Sequence, residues 1–257
     1  MGSNIDVYIG SGYLIAKEIQ EAGLDKVDLY AALRKNLLPG GLQVIAKLHR
    51  LGLVLYADTE FATGLFLTHI CLRKSDGTKL LDCIVDYGMN FDQMKDAMVP
   101  DDIHDLHKSR ALFMINKYYG PDIDARVKNT PRLTPHQIIL ELRRLKVRDY
   151  TMVEFSNGAA DYKWLNWLCE REKADAQLAL PPATKAVTVM YDIWRQFGTT
   201  SGKLHLLFAV LFPEHQLVKT HHVACIDSLK LWKVCDLIFS AKDPKQTKLA
   251  FPVATRP

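Results

Sequence analysis

Residues 53 to 88 read LVLYADTEFATGLFLTHICLRKSDGTKLLDCIVDYG, and this stretch decides the fold. It contains three runs rich in apolar and β-branched residues, at 53–58, 66–73 and 79–88, and such runs favour β-strands. Ser75-Asp76-Gly77, between the second and third runs, is typical of a hairpin turn. The stretch therefore predicts an antiparallel meander of three strands.

Downstream of the meander, helical and strand patterns alternate. Thr134 followed by Pro135 is typical of a helix N-terminus. Three leading strands followed by alternating helices and strands predict an α/β protein, with a mixed sheet of meander and parallel strands flanked by helices. The sequence predicts strands at 151–155 and 187–192, and helices at about 101–117, from 135, at 160–171, at 203–211 and at 223–239.

The two ends of the chain differ from its middle. Residues 12–50 carry helical periodicity interrupted at Leu38-Pro39-Gly40-Gly41, so residues 1–50 are predicted to form a helical N-terminal extension. Residues 242–257 are rich in lysine and interrupted by prolines, and are predicted to be a loose tail. Residues 51–241 are the predicted main domain.

The composition limits the class of protein. In a chain of 257 residues, 48% hydrophobic and 24% charged residues are typical of a globular fold. We expect an intracellular protein, cytoplasmic or nuclear, without a membrane span, because no apolar run reaches 18 residues and the start lacks a signal-peptide pattern. Five cysteines without a C-x-x-C pair fit reduced thiols. The net charge of +4 is a mild bias toward anionic partners such as nucleic acid.

Two acidic residues lie at the end of the first predicted strand, which we take to continue through them. Because strand side chains alternate between faces, Asp58 and Glu60 should project to the same side. Like charges at this spacing repel each other unless a cation lies between them, and carboxylate oxygens suit Mg²⁺ or Mn²⁺. The alternative is an exposed strand end, since D-x-E arises about once by chance in a chain of this size.

Two further aspartates lie on predicted helices. Asp161 opens the helix at 160–171 at the head of an apolar stripe, where it either serves a site or favours the positive end of the helix dipole. Asp227 belongs to one helix face with Leu231 and Val234, so its carboxylate should point inward. A buried charge requires a neutralising neighbour or a metal ion.

His222 precedes Asp227 by five residues. On a continuous helix the two would lie about 140° apart, so His222 must lie at or before the helix start. An imidazole there can enter a cleft at the strand ends and act as a general base, whereas the alternative is a solvated or capping histidine.

In combination, these segments resemble the DEDDh family of 3′-5′ exonucleases, a branch of the RNase H-like fold. The resemblance covers roughly residues 52 to 240 and rests on Asp58-Thr59-Glu60, on Asn157-Gly158 with Asp161, and on His222, Ala224 and Asp227. It selects His222 over His221, because only His222 has alanine two places on and aspartate five places on. The catalytic residues that it implies are Asp58, Glu60, Asp161, His222 and Asp227.

The resemblance also implies a mechanism. Asp58, Glu60, Asp161 and Asp227 would hold two divalent metal ions, Mg²⁺ or Mn²⁺, and His222 would take the proton from the attacking water. Two cations about 4 Å apart stabilise the entering and leaving oxygens of a phosphodiester displacement. The implied substrate is RNA or DNA with a free 3′ end, which releases nucleoside 5′-monophosphates. Single strands are favoured, because a 3′ end must be unpaired to enter such a cleft.

The chain departs from the family pattern at two places. Phe61 and Ala62 separate Glu60 from Thr63-Gly64, which normally follow more closely, so the loop that contacts the terminal nucleotide should differ. Ala160 stands where an aromatic residue commonly precedes the second aspartate. We expect substrate contacts from Thr59, Phe61, Thr63, Gly64, Leu65 and Asn157.

Two other functions compete with this interpretation. His104-Asp105 and His107 could belong to an HD-type metal phosphohydrolase, although that class needs further ligands on an all-helical frame. The second alternative is a catalytically silent RNase H-like module that binds nucleic acid or protein, with the N-terminal helices as a docking surface for a protein partner.

Overall fold

A six-stranded mixed sheet lies at the centre of the protein. The computed structural model describes residues 17–24, 38–62, 66–98, 105–121, 123–199, 202–220 and 222–240. The strands are β1 (Val54–Ala62), β2 (Phe66–Lys74), β3 (Lys79–Val85), β4 (Arg132–Leu133), β5 (Thr151–Glu154) and β6 (Ala186–Thr188). Their order across the sheet is β4-β3-β2-β1-β5-β6.

The sheet confirms the predicted meander and the α/β class. Strands β1, β2 and β3 are antiparallel neighbours, and the turn at 75–77 joins the last two. Strand β5 runs parallel to β1, β6 runs parallel to β5, and the short β4 runs parallel to β3. Because β1 and β5 are parallel, their carboxyl ends meet at one edge of the sheet.

Helices cover both faces of this sheet. They are α1 (Gly40–Arg50), α2 (Phe91–Met98), α3 (Asp105–Tyr119), α4 (Pro135–Arg144), α5 (Ala160–Arg171), α6 (Met190–Phe197), α7 (Leu204–Leu211) and α8 (Ala224–Ser240). Val54 and Tyr56 of β1 pack in a core with α1, α6, α7 and α8, whereas Leu55 and Ala57 pack on the opposite face with α4 and α5. A third core lies beneath α2, α3 and the start of α8. None of the described helices is both long and apolar enough to cross a membrane.

Part of the predicted N-terminal extension belongs to this core. Leu42, Ile45 and Ala46 of α1 are buried against the same cluster as Tyr56, and His49 Nδ1 lies 2.7 Å from Tyr56 Oη. A short helical segment at 17–21 precedes α1. Residues 1–16 and 25–37 of the extension lie outside the described part of the chain, as do residues 241–257 with the predicted tail.

The strand predicted at 187–192 was confirmed only at 187–188 and was wrong from Val189 onward. Only Ala186–Thr188 forms a strand, and Met190 begins helix α6. Val189, Ile193 and Phe197 are buried at a spacing of four residues, which fits one helix face better than the alternation of a strand.

The other predicted helices are present, with small shifts at their ends. Helix α3 begins at Asp105 in the described residues, since residues 99–104 lie outside them. Thr134 caps α4 as predicted: its hydroxyl accepts from Gln137 N–H, and the Gln137 side chain accepts from Thr134 N–H in return. Helix α2 and strand β4 were not predicted.

Candidate active site

The carboxyl end of β1 carries two of the predicted acids on one face. Asp58 is paired with Cys71 of β2 and Glu60 with His69, in a regular register that ends in a bulge between Glu60 and Phe61. Asp58 lines a cleft of about 820 Å³ together with Asn157, His222 and Asp227. The cleft thus brings together residues from three distant segments of the chain.

Asp161 is anchored to β1 by Thr59. The Thr59 N–H and hydroxyl both donate to Asp161 Oδ1, at 2.8 and 2.7 Å, although the two residues are 102 positions apart. Thr59 lies between Asp58 and Glu60, so its side chain is on the other face of β1. The two bonds link that face to the first turn of α5, where Asp161 is buried. The Thr59 side chain, predicted to contact substrate, therefore holds a predicted metal ligand.

A buried glutamate that the sequence reasoning missed supports this arrangement. Glu154, the last residue of β5, is fully buried, and its Oε2 accepts from Asp161 N–H and from the Ser156 hydroxyl, both at 2.7 Å. Ala159 at the start of α5 has no side-chain cap, so the Glu154 carboxylate takes that place. The sequence did contain an indication of this role, because Glu154 is an acidic residue near the end of the predicted buried strand TMVEF, 151–155.

His222 lies two residues before helix α8, as predicted. Its backbone is left-handed, with φ +58°, a conformation that a non-glycine residue keeps only where its surroundings hold it. The His222 N–H donates to Asp227 Oδ2 at 2.7 Å, and its carbonyl accepts from Lys117 Nζ and, at 3.3 Å, from Tyr118 Oη. Both backbone polar groups of His222 are therefore fixed.

The side chains of Glu60, Asp227 and His222 converge. One carboxylate oxygen of Glu60, one of Asp227 and one ring nitrogen of His222 all lie within 4.8 Å of one another. An imidazole at this distance from two carboxylates is close enough to exchange a proton with a water molecule held between them.

The acids destabilise one another's charged forms. Burial, followed by the charges of Asp161 and Asp227, raises the pKa of Asp58 well above its ordinary value. Burial and Glu154 likewise raise the pKa of Asp161. Burial and Asp227 raise the pKa of Glu60 to about 8, against the opposing effect of Lys117 and Arg110. The site therefore favours any cation that neutralises the carboxylates.

Two buried lysines offset part of this negative charge. Lys230 is fully buried, lies 3.3 Å from Asp227 Oδ1 and donates to the Thr220 carbonyl. Lys117, from α3, is also buried and donates to the His222 carbonyl. Neither was predicted, although Lys230 follows Asp227 by three residues on the same helix. Five carboxylates against two lysines leave a set of hard oxygen donors that fits Mg²⁺ or Mn²⁺.

Phe61 and Asn157, two of the predicted substrate contacts, each contact an aromatic side chain. The Phe61 ring stacks on Trp164, with centroids 4.7 Å apart and planes 26° apart, and Arg110 Cζ lies 6.0 Å from the Phe61 centroid. Asn157 lines the cleft and its Oδ1 accepts from the Tyr191 hydroxyl. Thr63, Gly64 and Leu65 lie outside the described residues, as does His221.

The histidines and aspartate of the HD-type alternative lie at or before the start of α3. Asp105 and His107 occupy the first turn of α3, and His104 lies outside the described residues. Comparisons of the chain with protein-family models, with curated proteins and with solved structures gave no match. The geometry and chemistry of the side chains are therefore what indicates the function of the site.

Proposed function

We propose that this protein is a metal-dependent 3′-5′ exonuclease of the DEDDh type, built on an RNase H-like sheet. The observation that carries the proposal is the convergence of Glu60, His222 and Asp227 within 4.8 Å, beside Asp58 in the same cleft. A meander continued by parallel strands beside β1 is the sheet that this family resemblance implies. The site lies at the carboxyl end of β1, as the resemblance also implies.

The acids have the chemistry needed to hold the proposed metal ions. Asp58, Glu60 and Asp227 would hold two divalent cations, Mg²⁺ or Mn²⁺, with Asp161 completing the set. When bound, the ions supply positive charge to the entering and leaving oxygens of the phosphodiester displacement. Thr59 and Glu154 orient Asp161 through hydrogen bonds, as partners behind metal ligands commonly do.

His222 is the proposed general base. The fixed backbone of His222 directs its ring toward Glu60 and Asp227, where it takes a proton from the water that attacks the last phosphodiester. Asp227 both accepts from the His222 N–H and contributes to the acidic cluster, so the start of α8 positions base and ligand together. The product is a nucleoside 5′-monophosphate.

The terminal nucleotide needs a surface beside the acids. Phe61 follows Glu60 directly, and its stacked pair with Trp164 provides an aromatic platform that accepts any unpaired base. Lys203 and Lys219 line the cleft that contains Asp58, where positive charge favours the phosphate backbone. A single-stranded 3′ end is therefore the proposed substrate.

A digestion assay tests the proposed function. A single-stranded oligonucleotide labelled at its 5′ end should shorten stepwise from the 3′ end in Mn²⁺ or Mg²⁺, release 5′-mononucleotides and resist digestion in EDTA. A circular single strand of the same composition is the control, because it has no 3′ end. Matched RNA and DNA, with free and with paired 3′ ends, define the substrate. Tight binding without turnover, unaffected by EDTA, would instead support the silent binding module.

We expect Phe61→Ala to weaken substrate binding more than turnover. Loss of one base-stacking ring costs about 1–3 kcal/mol, so KM for a single strand should rise roughly tenfold or more with a smaller change in kcat. Phe61→Tyr keeps the ring and should behave like the wild type. Leu140→Ala removes an exposed apolar side chain from α4 and is the control for nonspecific effects. An unchanged KM in Phe61→Ala would remove the stacking role.

A further inference from the structure

A second group of potential metal ligands lies outside the acidic cleft. His69 of β2, Asp82 of β3 and Cys225 of α8 each place one ligand atom within 4.8 Å of the other two. The exonuclease mechanism uses none of the three. We propose that His69, Asp82 and Cys225 bind a single Zn²⁺ ion, distinct from the ions of the acidic cleft.

The contacts of His69 include one tautomer that suits a bound metal ion. Tyr118 Oη lies 3.3 Å from the His222 carbonyl and 3.4 Å from His69 Nδ1. Where Tyr118 donates its proton to the His222 carbonyl, its oxygen accepts from His69 Nδ1–H, and this tautomer leaves the Nε2 lone pair available to a metal ion. The Nε2 lone pair of a neutral ring then faces Asp82 Oδ1 at 2.9 Å.

Two facing acceptors repel unless a positive charge lies between them. A bound metal ion supplies that charge, and a ligating histidine commonly donates its other ring N–H to a second partner, which here is Tyr118. Two metal-free arrangements compete with this one: a doubly protonated His69 paired with Asp82, and a neutral His69 whose Nε2–H donates to Asp82 while the Tyr118 hydroxyl donates to Nδ1. They differ from the metal site in that the Cys225 thiol takes no part.

Asp82 and Cys225 are accessible to an incoming ion. Asp82 Oδ2 accepts from Lys79 Nζ at 2.6 Å, which holds the carboxylate with Oδ1 directed at His69. Both Asp82 and Cys225 line a groove of about 360 Å³ that also contains Asn129. The groove provides an entry path and gives water access to a fourth coordination position, as in an open tetrahedral zinc site.

The ligand types separate the two sites. Imidazole nitrogen and thiolate sulfur with one carboxylate oxygen form a set that suits Zn²⁺, whereas the all-carboxylate cleft suits Mg²⁺ or Mn²⁺. Burial and Asp82 raise the pKa of the Cys225 thiol to about 11, so zinc binding should release a proton. Through Tyr118, the proposed site also supports the His222 carbonyl.

Cobalt is the probe that tests the proposal, because Co²⁺ replaces Zn²⁺ and a thiolate ligand produces a sulfur-to-cobalt absorption band. The metal-free full-length protein should bind one Co²⁺ with this band in the presence of excess Mg²⁺, and Zn²⁺ should displace it. Cys225→Ser should abolish the band and weaken zinc binding by at least about tenfold. Cys235→Ser, a buried cysteine outside the cluster, is the matched control and should retain both.

Asp58→Asn distinguishes this proposal from the exonuclease. The band should persist in Asp58→Asn whether or not the protein digests nucleic acid, since Asp58 is not a ligand of the proposed zinc. A wild-type protein that binds cobalt without the band overturns the proposal and favours the metal-free His69–Asp82 pair. Persistence of the band in Cys225→Ser also overturns it. The wild-type spectrum decides the matter even where a variant fails to fold.

Discussion

Asp58→Asn should give a folded protein that is more stable than the wild type in EDTA and that no longer hydrolyses nucleic acid. Asparagine keeps the shape of aspartate but carries no charge, so it removes the repulsion with Asp161 and Asp227 that raises the pKa of Asp58. The same change removes a proposed ligand of the metal ions. Loss of several kcal/mol of transition-state stabilisation corresponds to a fall in kcat of about a thousandfold.

The two readouts together separate a functional from a structural role. Thermal unfolding in EDTA measures stability, and release of mononucleotides from a 3′-labelled strand measures turnover. Asp149→Asn changes an exposed carboxylate on the surface and should alter neither. An Asp58→Asn protein that is inactive because it is less stable would indicate a structural carboxylate. Full activity would remove Asp58 from the mechanism.

The local periods of strand and helix explain why the core of the site was predictable. Alternation along β1 places Asp58 and Glu60 on one face, and helical spacing turns Asp227 inward. The same spacing requires His222 to precede α8, which begins at Ala224. Each of these inferences needs only a few neighbouring residues, so the sequence is sufficient for them.

The groups that support the site were not predictable, because distant contacts determine them. Lys117 reaches the His222 carbonyl across 105 positions, and nothing in the helix that carries it marks that partner. Glu154 becomes a helix cap only because Ala159 provides none. The prediction failed at helix α6 for a local reason. The β-branched run VTV at 187–189 indicated a strand, although the four-residue spacing of Val189, Ile193 and Phe197 indicates a helix.

These supporting contacts also explain how the fold tolerates the acids. Lys230 and Lys117 bring positive charge to Asp227 and Glu60, and Thr59 donates twice to Asp161. The compensation is incomplete, because the pKa values of Asp58, Glu60 and Asp161 all remain raised. A site that remains unfavourable for its own charges is typical of a functional cluster rather than of a stabilising one.

The metal-free protein should lose stability as the pH rises, and Mn²⁺ should reverse this trend. In the unfolded chain Glu60 titrates near its ordinary pKa of 4.5, whereas in the folded chain burial and Asp227 raise that pKa to about 8. The folded state therefore binds more protons between these values, so the contribution of Glu60 is complete below pH 4.5 and is lost as the pH rises through 8. One pKa unit corresponds to about 1.4 kcal/mol, so the effect is large enough to measure.

Thermal unfolding from pH 5 to 8, with EDTA or with Mn²⁺, measures this linkage. In EDTA the midpoint should fall across the range, and Mn²⁺ should raise it most at pH 8, because ionised carboxylates bind the metal without first releasing protons. Glu60→Gln cannot ionise, so it should flatten the decline in EDTA and reduce the gain from Mn²⁺. The other titratable residues are common to both proteins, so the difference between the two pH profiles measures the contribution of Glu60. A decline in EDTA that is as steep in Glu60→Gln as in the wild type, or a Mn²⁺ effect that Glu60→Gln leaves unchanged, would show that Glu60 does not belong to a cation site.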